Sequence, residues 1–293
     1  MVNKSKVRQS ALNLIYAVEE NGGSVEQLDL NLFWEIEQEK DTDDYRKTLA
    51  KALLHTARAS ADSARLLETR ADEAIAAFCD SLPAAKLSED VARLQKRSAE
   101  FESALAALKY CLKDKRQDTT HQLWLCCKDV IALAQIIGAL AENLLPLFAD
   151  FPEFRAVLQK LEAAITRRRK QMSTCAIMSN PKDLLGQPEY LNLVRCAEVL
   201  EQLQPEAEKL ALNVLSKKAE LDAILIPLLH NYSIERMDVI DKAILYLALY
   251  ELKFNKLDTP IVVSEATALA NDYSGGKSAP FIHGIISAAA KGN

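Results

Sequence analysis

Apolar residues recur along this chain with the period of an α-helix from one end to the other. In residues 4–20, Val7, Ala11, Leu14, Ile15 and Val18 share one helical face, and Asn21-Gly22-Gly23-Ser24 offers residues suited to ending a helix. Residues 25–40 predict a second, shorter helix marked by Leu28, Leu32 and Ile36, with Phe33 and Trp34 nearby. A long stripe follows over 44–80, through Leu49, Ala52, Leu53, Ala57, Ala64, Leu67, Ala71, Ala74, Ile75 and Phe78. No Gly or Pro interrupts it before Ser81-Leu82-Pro83. Further helical runs cover 86–113, 119–145, 153–178 and 189–203, with a charged turn at 113–118. Residues 41–203 therefore read as long helices joined by short loops, a bundle or hairpin. An extended antiparallel coiled coil is also compatible with them.

Pro205 suits the first position of the next helix, where Ala207, Leu210, Ala211, Val214 and Leu215 keep helical spacing. Leu221, Ile224, Leu225 and Leu228 continue the pattern until a break at 230–233. Residues 238–254 are apolar on nearly every side, the signature of a helix at the centre of a core. Thr259-Pro260 opens another helix, Ser274-Gly275-Gly276-Lys277-Ser278 is a turn, and a last helix runs to Lys291.

Composition narrows this to an all-α soluble protein. Of 293 residues, 49% are apolar and 26% charged, with 8 Gly and 9 Pro, so turns are few and elements long. The net charge of −5 excludes a globally basic nucleic-acid binder and leaves room for a local basic patch. The six cysteines, at 79, 111, 126, 127, 175 and 196, show no C-x-x-C spacing, and only four histidines occur. That argues against zinc and for reduced thiols on apolar helix faces, as in a cytoplasmic protein. Cys126 and Cys127 are neighbours on a helix and point apart, so they do not form a structural disulfide. No apolar leader segment is visible at the N-terminus. The apolar stretch at 130–147, broken by Gln135, Glu142, Asn143 and Pro146, reads as too short and too polar to span a bilayer.

Two local features invite chemistry. Lys4, Lys6 and Arg8 open the first helix with no acid before Glu19. Cations at a helix N-terminus oppose the macrodipole, so something other than helix stability explains them. Gly275-Gly276-Lys277-Ser278 looks like part of a nucleotide-binding loop. Position 271, where a P-loop needs Gly, is Asn, and the segment follows a helix rather than a strand.

Five fragments, taken in order, resemble the transcription antitermination factor NusB family. They are RQSALNLIY at 8–16, EAEKLALNVL at 206–215 leading into LDAIL at 221–225, YSIERMDVIDKAILYLALYEL at 232–252, PIVVSEATALA at 260–270 and KSAPFIHGII at 277–286. On this resemblance, residues 1–40 and 205–293 form a NusB-like RNA-binding domain of two helical subdomains, and 41–204 is a large helical insertion. The resemblance implies no cofactor, no metal and no catalysis. It implies binding of a boxA-like single-stranded RNA together with NusE, a small-subunit ribosomal protein, in the transcription elongation complex. Dimerisation stays open, because some relatives hide their RNA surface in a dimer. A helical adaptor that keeps the fold without RNA is the alternative.

Carried over residue by residue, the resemblance assigns Lys4, Lys6 and Arg8 to the RNA backbone, where clustered cations neutralise phosphates. Phe281 matches an aromatic suited to stacking an unpaired base, and His283 replaces a family Asn. Lys277 lies in the turn before the last helix, and Tyr16 matches a family aromatic. Three departures stand out. Ser264 replaces an Asn expected to hydrogen-bond between helices, Tyr246 replaces an Arg, and Asn213 replaces a Gly that lets helices approach. Arg167-Arg168-Arg169-Lys170, in the insertion, is the strongest basic run and reads as a solvated helix end, an added RNA contact or a site for an acidic partner.

Overall fold

The computed structural model describes residues 3–78, 81–114, 119–229 and 233–291. Cys79, the end of the charged turn at 115–118 and the break at 230–232 lie outside the described residues. Every described element is helical: α1 (Lys4–Glu20), α2 (Leu30–Glu37), α3 (Glu39–Thr56), α4 (Ser60–Phe78), α5 (Ala85–Lys113), α6 (Thr119–Leu144), α7 (Arg155–Ile177), α8 (Leu191–Ser216), α9 (Lys218–Leu225), α10 (Val239–Lys253), α11 (Thr259–Tyr273) and α12 (Ala279–Lys291), with short 3-10 turns between several of them. The chain divides into two compact units. A terminal unit comprises Met1–Lys40 and Glu198–Asn293, and a middle unit comprises Asp41–Ala197.

In the middle unit, α4 packs on α5, α5 on α6, α6 on α7 and α7 back on α4. That ring of neighbours is a four-helix bundle with up-and-down connections. Leu67, Leu94, Phe101, Val130, Ile137, Leu161 and Ile165 fill it, with Leu49 and Leu53 of α3 and Leu193 of α8 joining the same core. The expected stripe over 44–80 is split: Ala57–Ala59 form a turn between α3 and α4 although no Gly or Pro stands there. The first residue of α4 after this turn, Ser60, is held from across the bundle. Arg168 of α7 is 1% exposed and donates to the Ser60 carbonyl at 3.1 Å and the Ser60 hydroxyl at 2.7 Å. It also reaches Ser63 Oγ (3.1 Å), the Ser98 carbonyl (3.2 Å) and Glu102 Oε1 (2.8 Å), and lies over the Phe101 ring. Burial lowers its pKa, and the Glu102 carboxylate opposes that shift. The second of the four residues of the basic run is thus a core residue, and Arg167, Arg169 and Lys170 remain toward solvent.

The stretch Thr120–Asp150 is long and apolar enough by composition to cross a membrane, contrary to the expectation from its polar interruptions. One face of it, including Val130, Ala134, Ile137 and Ala141, is spent on the bundle core. Among the described cysteines, Cys111 and Cys126 bring their sulfurs to 3.5 Å, and burial pushes the Cys127 and Cys175 thiols up to about 12.

In the terminal unit α10 is the central helix, with every side chain from Ala243 to Leu252 buried and α1, α9, α11 and α12 against it. Two expectations change here. α8 continues through Pro205 instead of starting there. Proline costs a helix interior one hydrogen bond, about 3 kcal/mol or more, but Leu203 and Ala207 on either side are buried and offset it. In α2 the buried side chain is Trp34, at 3% exposure and edge-on to Phe33, while the expected markers Leu32 and Ile36 are 53% and 66% exposed.

Candidate functional site

α1 starts on a built cap: the Asn3 side chain accepts from the Ser5 N–H at 3.0 Å. α1 then runs antiparallel to α10, and an ion pair at each end fixes that register. Near its start, Arg8 Nε donates to both oxygens of Glu251 at 2.8 and 2.9 Å, and Arg8 also lies 3.5 Å from Glu265 of α11. Near its end, Glu19 accepts from Lys218 at 2.6 Å and Lys242 at 2.7 Å. Burial alone would raise the Glu19 pKa, but the two ammonium groups hold it below the ordinary value. For Glu251 burial wins over Arg8, and its pKa is raised.

These pairs explain the first-turn cations. Arg8 is 8% exposed and belongs to the core, not to a phosphate-facing surface as the resemblance implied. Lys4 is exposed but sits 2.8 Å from Glu206 of α8. Lys6 is half-buried. The first turn of α1 borders a groove of about 590 Å³ whose polar lining includes Lys4, Arg8, Lys209, Asn213, Glu206 and Glu251. Asn213, expected where a Gly would let helices close up, faces that groove and is exposed. Cations and carboxylates alternate along it, so its field for an anion is weak.

The other candidates lie toward the opposite end of α10, beyond Lys242, which is nine residues or about 14 Å of helix from Glu251. The turn before α12 uses Gly275 and Gly276 at φ 60° and 77°. Ser274 and Ser278 on either side donate to Asp241 at 2.6 and 2.7 Å, pinning the turn to the start of α10. Lys277 between them is exposed. Phe281 is 37% exposed, and His283 and Gly284 beside it are exposed. Tyr16, 38% exposed on α1, has its phenol pKa raised chiefly by Glu20 and lies near Asp238, the cap of α10. This end therefore brings the exposed Lys277, Phe281, His283 and Tyr16 into an acidic setting.

Two departures resolve into packing. Tyr246 is 2% exposed and donates to Asp222 of α9, and burial raises its phenol pKa. Ser264 is exposed and, among the described residues, its hydroxyl makes no hydrogen bond between helices. Glu265 next to it does the joining, through Arg8. Sequence reading missed the carboxylate partners Glu206, Glu251 and Glu265. The one available signal was Glu251, an acid inside the most apolar helix of the chain.

Comparison with known proteins bears on the same segments. Residues 166–291 match the NusB family, a span that begins inside α7, takes in α8 to α12 and leaves out α1. A transcription antitermination protein NusB from Campylobacter curvus (strain 525.92) is 42% identical over 72 residues, which are 25% of this chain and 55% of that protein. The protein of the same name from Listeria monocytogenes serotype 4a (strain HCC23) is 38% identical over 80 residues, 27% of this chain and 62% of that protein. The one from Macrococcus caseolyticus (strain JCSC5402) is 37% identical over 81 residues, 28% and 62%. The chain thus spans roughly three fifths of the length of the curated relatives it matches. No solved structure matches it.

Proposed function

We propose that the NusB family domain held by residues 166–291 makes this chain a transcription antitermination factor. In this reading it binds a boxA-like single-stranded RNA together with NusE, acts on elongating RNA polymerase and supports ribosomal RNA transcription. The observation that carries it is the family match together with the relatives' shared name. Within the terminal unit the exposed set of Lys277, Phe281, His283 and Tyr16 supports it. Lys277 would meet a phosphate and Phe281 would stack a base. Lys4 contributes once Glu206 releases it, and Arg8 holds α1 in place.

The reading is tested by fluorescence anisotropy of the full chain with a boxA-type RNA, alone and with NusE, over a salt series. Binding should tighten with NusE and fall as salt rises. Phe281→Ala should cost about 1–3 kcal/mol of affinity if a base stacks there. Lys277→Gln should reduce the salt slope by about 1.

A second reading, a helical adaptor without RNA, is favoured by one observation: Lys4 and Arg8 are already engaged by Glu206 and Glu251. Absence of RNA binding under every condition, with protein partners recovered unchanged after ribonuclease treatment, would decide for it.

A further inference from the structure

The middle unit brings together two thiols that the family reading does not use, since both lie outside residues 166–291. Cys111 stands two residues before the end of α5, and Cys126 stands seven residues past the start of α6. The two helices follow one another in the chain and pack side by side, so these positions come level across their interface. Their sulfurs lie 3.5 Å apart, in van der Waals contact, and both cysteines are free. Cys127 adjoins Cys126 in sequence, yet about 100° of helix turn separates the two side chains.

The two thiols differ in access. Cys111 is half-buried and Cys126 is buried. Burial, with Cys111 beside it, pushes the Cys126 thiol up to about 11, so it stays protonated at neutral pH. The Gln122 amide, one turn earlier on α6, lies 4.0 Å from the Cys126 sulfur. Cys127 and Cys175 are fully buried in the apolar core. An oxidant arriving from water therefore meets Cys111 first, and Cys126 is the thiol placed to resolve the product.

The position of the pair gives a bond there something to hold. Leu112, next to Cys111, lines the groove between α3 and the start of α8. Trp124, two residues before Cys126, tilts against Tyr45 of α3 with ring centroids 6.2 Å apart. A crosslink at this point ties α5 to α6 where α3 meets them both.

We propose that Cys111 and Cys126 form a reversible intramolecular disulfide in response to a peroxide, and that the bond braces this corner of the bundle. The Cys111 thiolate attacks one peroxide oxygen and the O–O bond breaks. The departing hydroxide takes up the proton released by the Cys111 thiol, which gives one water and a sulfenic acid on Cys111. The Cys126 sulfur then attacks the Cys111 sulfur, the S–O bond breaks, and hydroxide leaves with the Cys126 proton as a second water. The two thiols lose two electrons and hydrogen peroxide gains them. A dithiol reductant reverses the bond by exchange, so in a reducing compartment it is transient. A disulfide needs about 2.0 Å between sulfurs, so side-chain rotation has to close about 1.5 Å.

The inference uses the middle unit alone and stands whether or not RNA is bound. The test treats the folded full chain with limiting hydrogen peroxide, then denatures it and alkylates it with N-ethylmaleimide. Of the six cysteines four should be alkylated, and a peptide map should join the segment holding Cys111 to the segment holding Cys126. The link spans 15 positions, so Tm should rise by about 5–10 °C and return to the untreated value with dithiothreitol. Cys111→Ser, at a half-buried position, should keep all five remaining thiols alkylatable at the same peroxide dose and show no rise in Tm. It carries the test even if Cys126→Ser fails to fold. Where Cys126→Ser does fold, peroxide should add oxygen to Cys111 without a crosslink. Cys196→Ser should still lose two thiols. Sulfinic acid on Cys111 of the native chain without a crosslink overturns the proposal, as does a link between any other pair or between two chains. A Cys111–Cys126 link that leaves Tm unchanged overturns the bracing role.

Discussion

Among the described residues each unit buries one arginine, and the two are satisfied by different means. In the terminal unit Arg8 meets carboxylates: Glu251 takes its Nε with both oxygens, and Glu265 stands at 3.5 Å. In the middle unit Arg168 meets mainly neutral acceptors, two backbone carbonyls, two serine hydroxyls and the Gln171 side-chain oxygen, with Glu102 as its one carboxylate among the described residues. The first arrangement joins α1, α10 and α11 through charge. The second crosslinks α4, α5 and α7 through shape and dipoles, and should tolerate loss of its charge partner better. The contrast also shows that a cationic sequence run is no measure of available charge: α1 spends its strongest cation internally, whereas the α7 run spends one of four.

The largest effect should come from cutting the charge pair of the terminal unit. Glu251→Ala leaves Arg8 buried without its main partner and should cost about 3–5 kcal/mol in urea unfolding. Arg8→Met combined with Glu251→Leu should recover most of that loss, because a buried pair replaced by apolar residues of similar volume is often neutral or better. Glu102→Ala should cost less, about 1–3 kcal/mol, since Arg168 keeps the Ser60 and Ser98 carbonyls. Equal losses at Glu251 and Glu102 would break the comparison.

A smaller, signed effect should appear with pH. Glu19 is held below its ordinary pKa of 4.5, so its contribution is full above that value and is lost as pH falls through the folded pKa. Glu251 is raised above 4.5, so its contribution is present below that value and is lost as pH rises through the folded pKa. In Tm measured against pH, Glu19→Gln should flatten the acid limb. Glu251→Gln should instead flatten the change just above pH 4.5. Smaller again is the cap. Asn3→Ala should cost roughly 1 kcal/mol, read from the same unfolding curves. Smallest is Arg97→Ala, whose ion pair with Glu100 lies half-exposed at the surface, and it should shift stability by less than about 0.5 kcal/mol.

Much of the fold was legible because its cause is local. The stripe from Val7 to Val18 and the all-round apolar character of α10 report burial directly, and both helices lie where periodicity puts them. The misread boundaries involve more than their own stretch of chain. Ser60, just past the turn at 57–59, is gripped by Arg168, more than a hundred residues away, and no residue within the stripe signals it. Pro205 reads as a start because proline suits helix starts, yet packing on both sides carries α8 through it. Of the candidate site, exposure at Lys277, Phe281 and His283 was readable from their place in and after a Gly-rich turn. The burial of Arg8 was not, because it depends on a carboxylate 243 positions further along.

That separation of 243 positions becomes a delay during synthesis. At about 5–20 residues per second, Arg8 is made roughly 12–49 seconds before Glu251. Within that interval every residue of the middle unit is produced, and its bundle of sequential neighbours can close. For the whole period α1 exists as an amphipathic segment whose partner helix has not been made, with Val7, Ala11, Leu14 and Ile15 open to whatever else is near. The chaperone demand of this protein should therefore fall on its first twenty residues, and a ribosome-stalled chain ending before α10 should be cleaved there first by added protease.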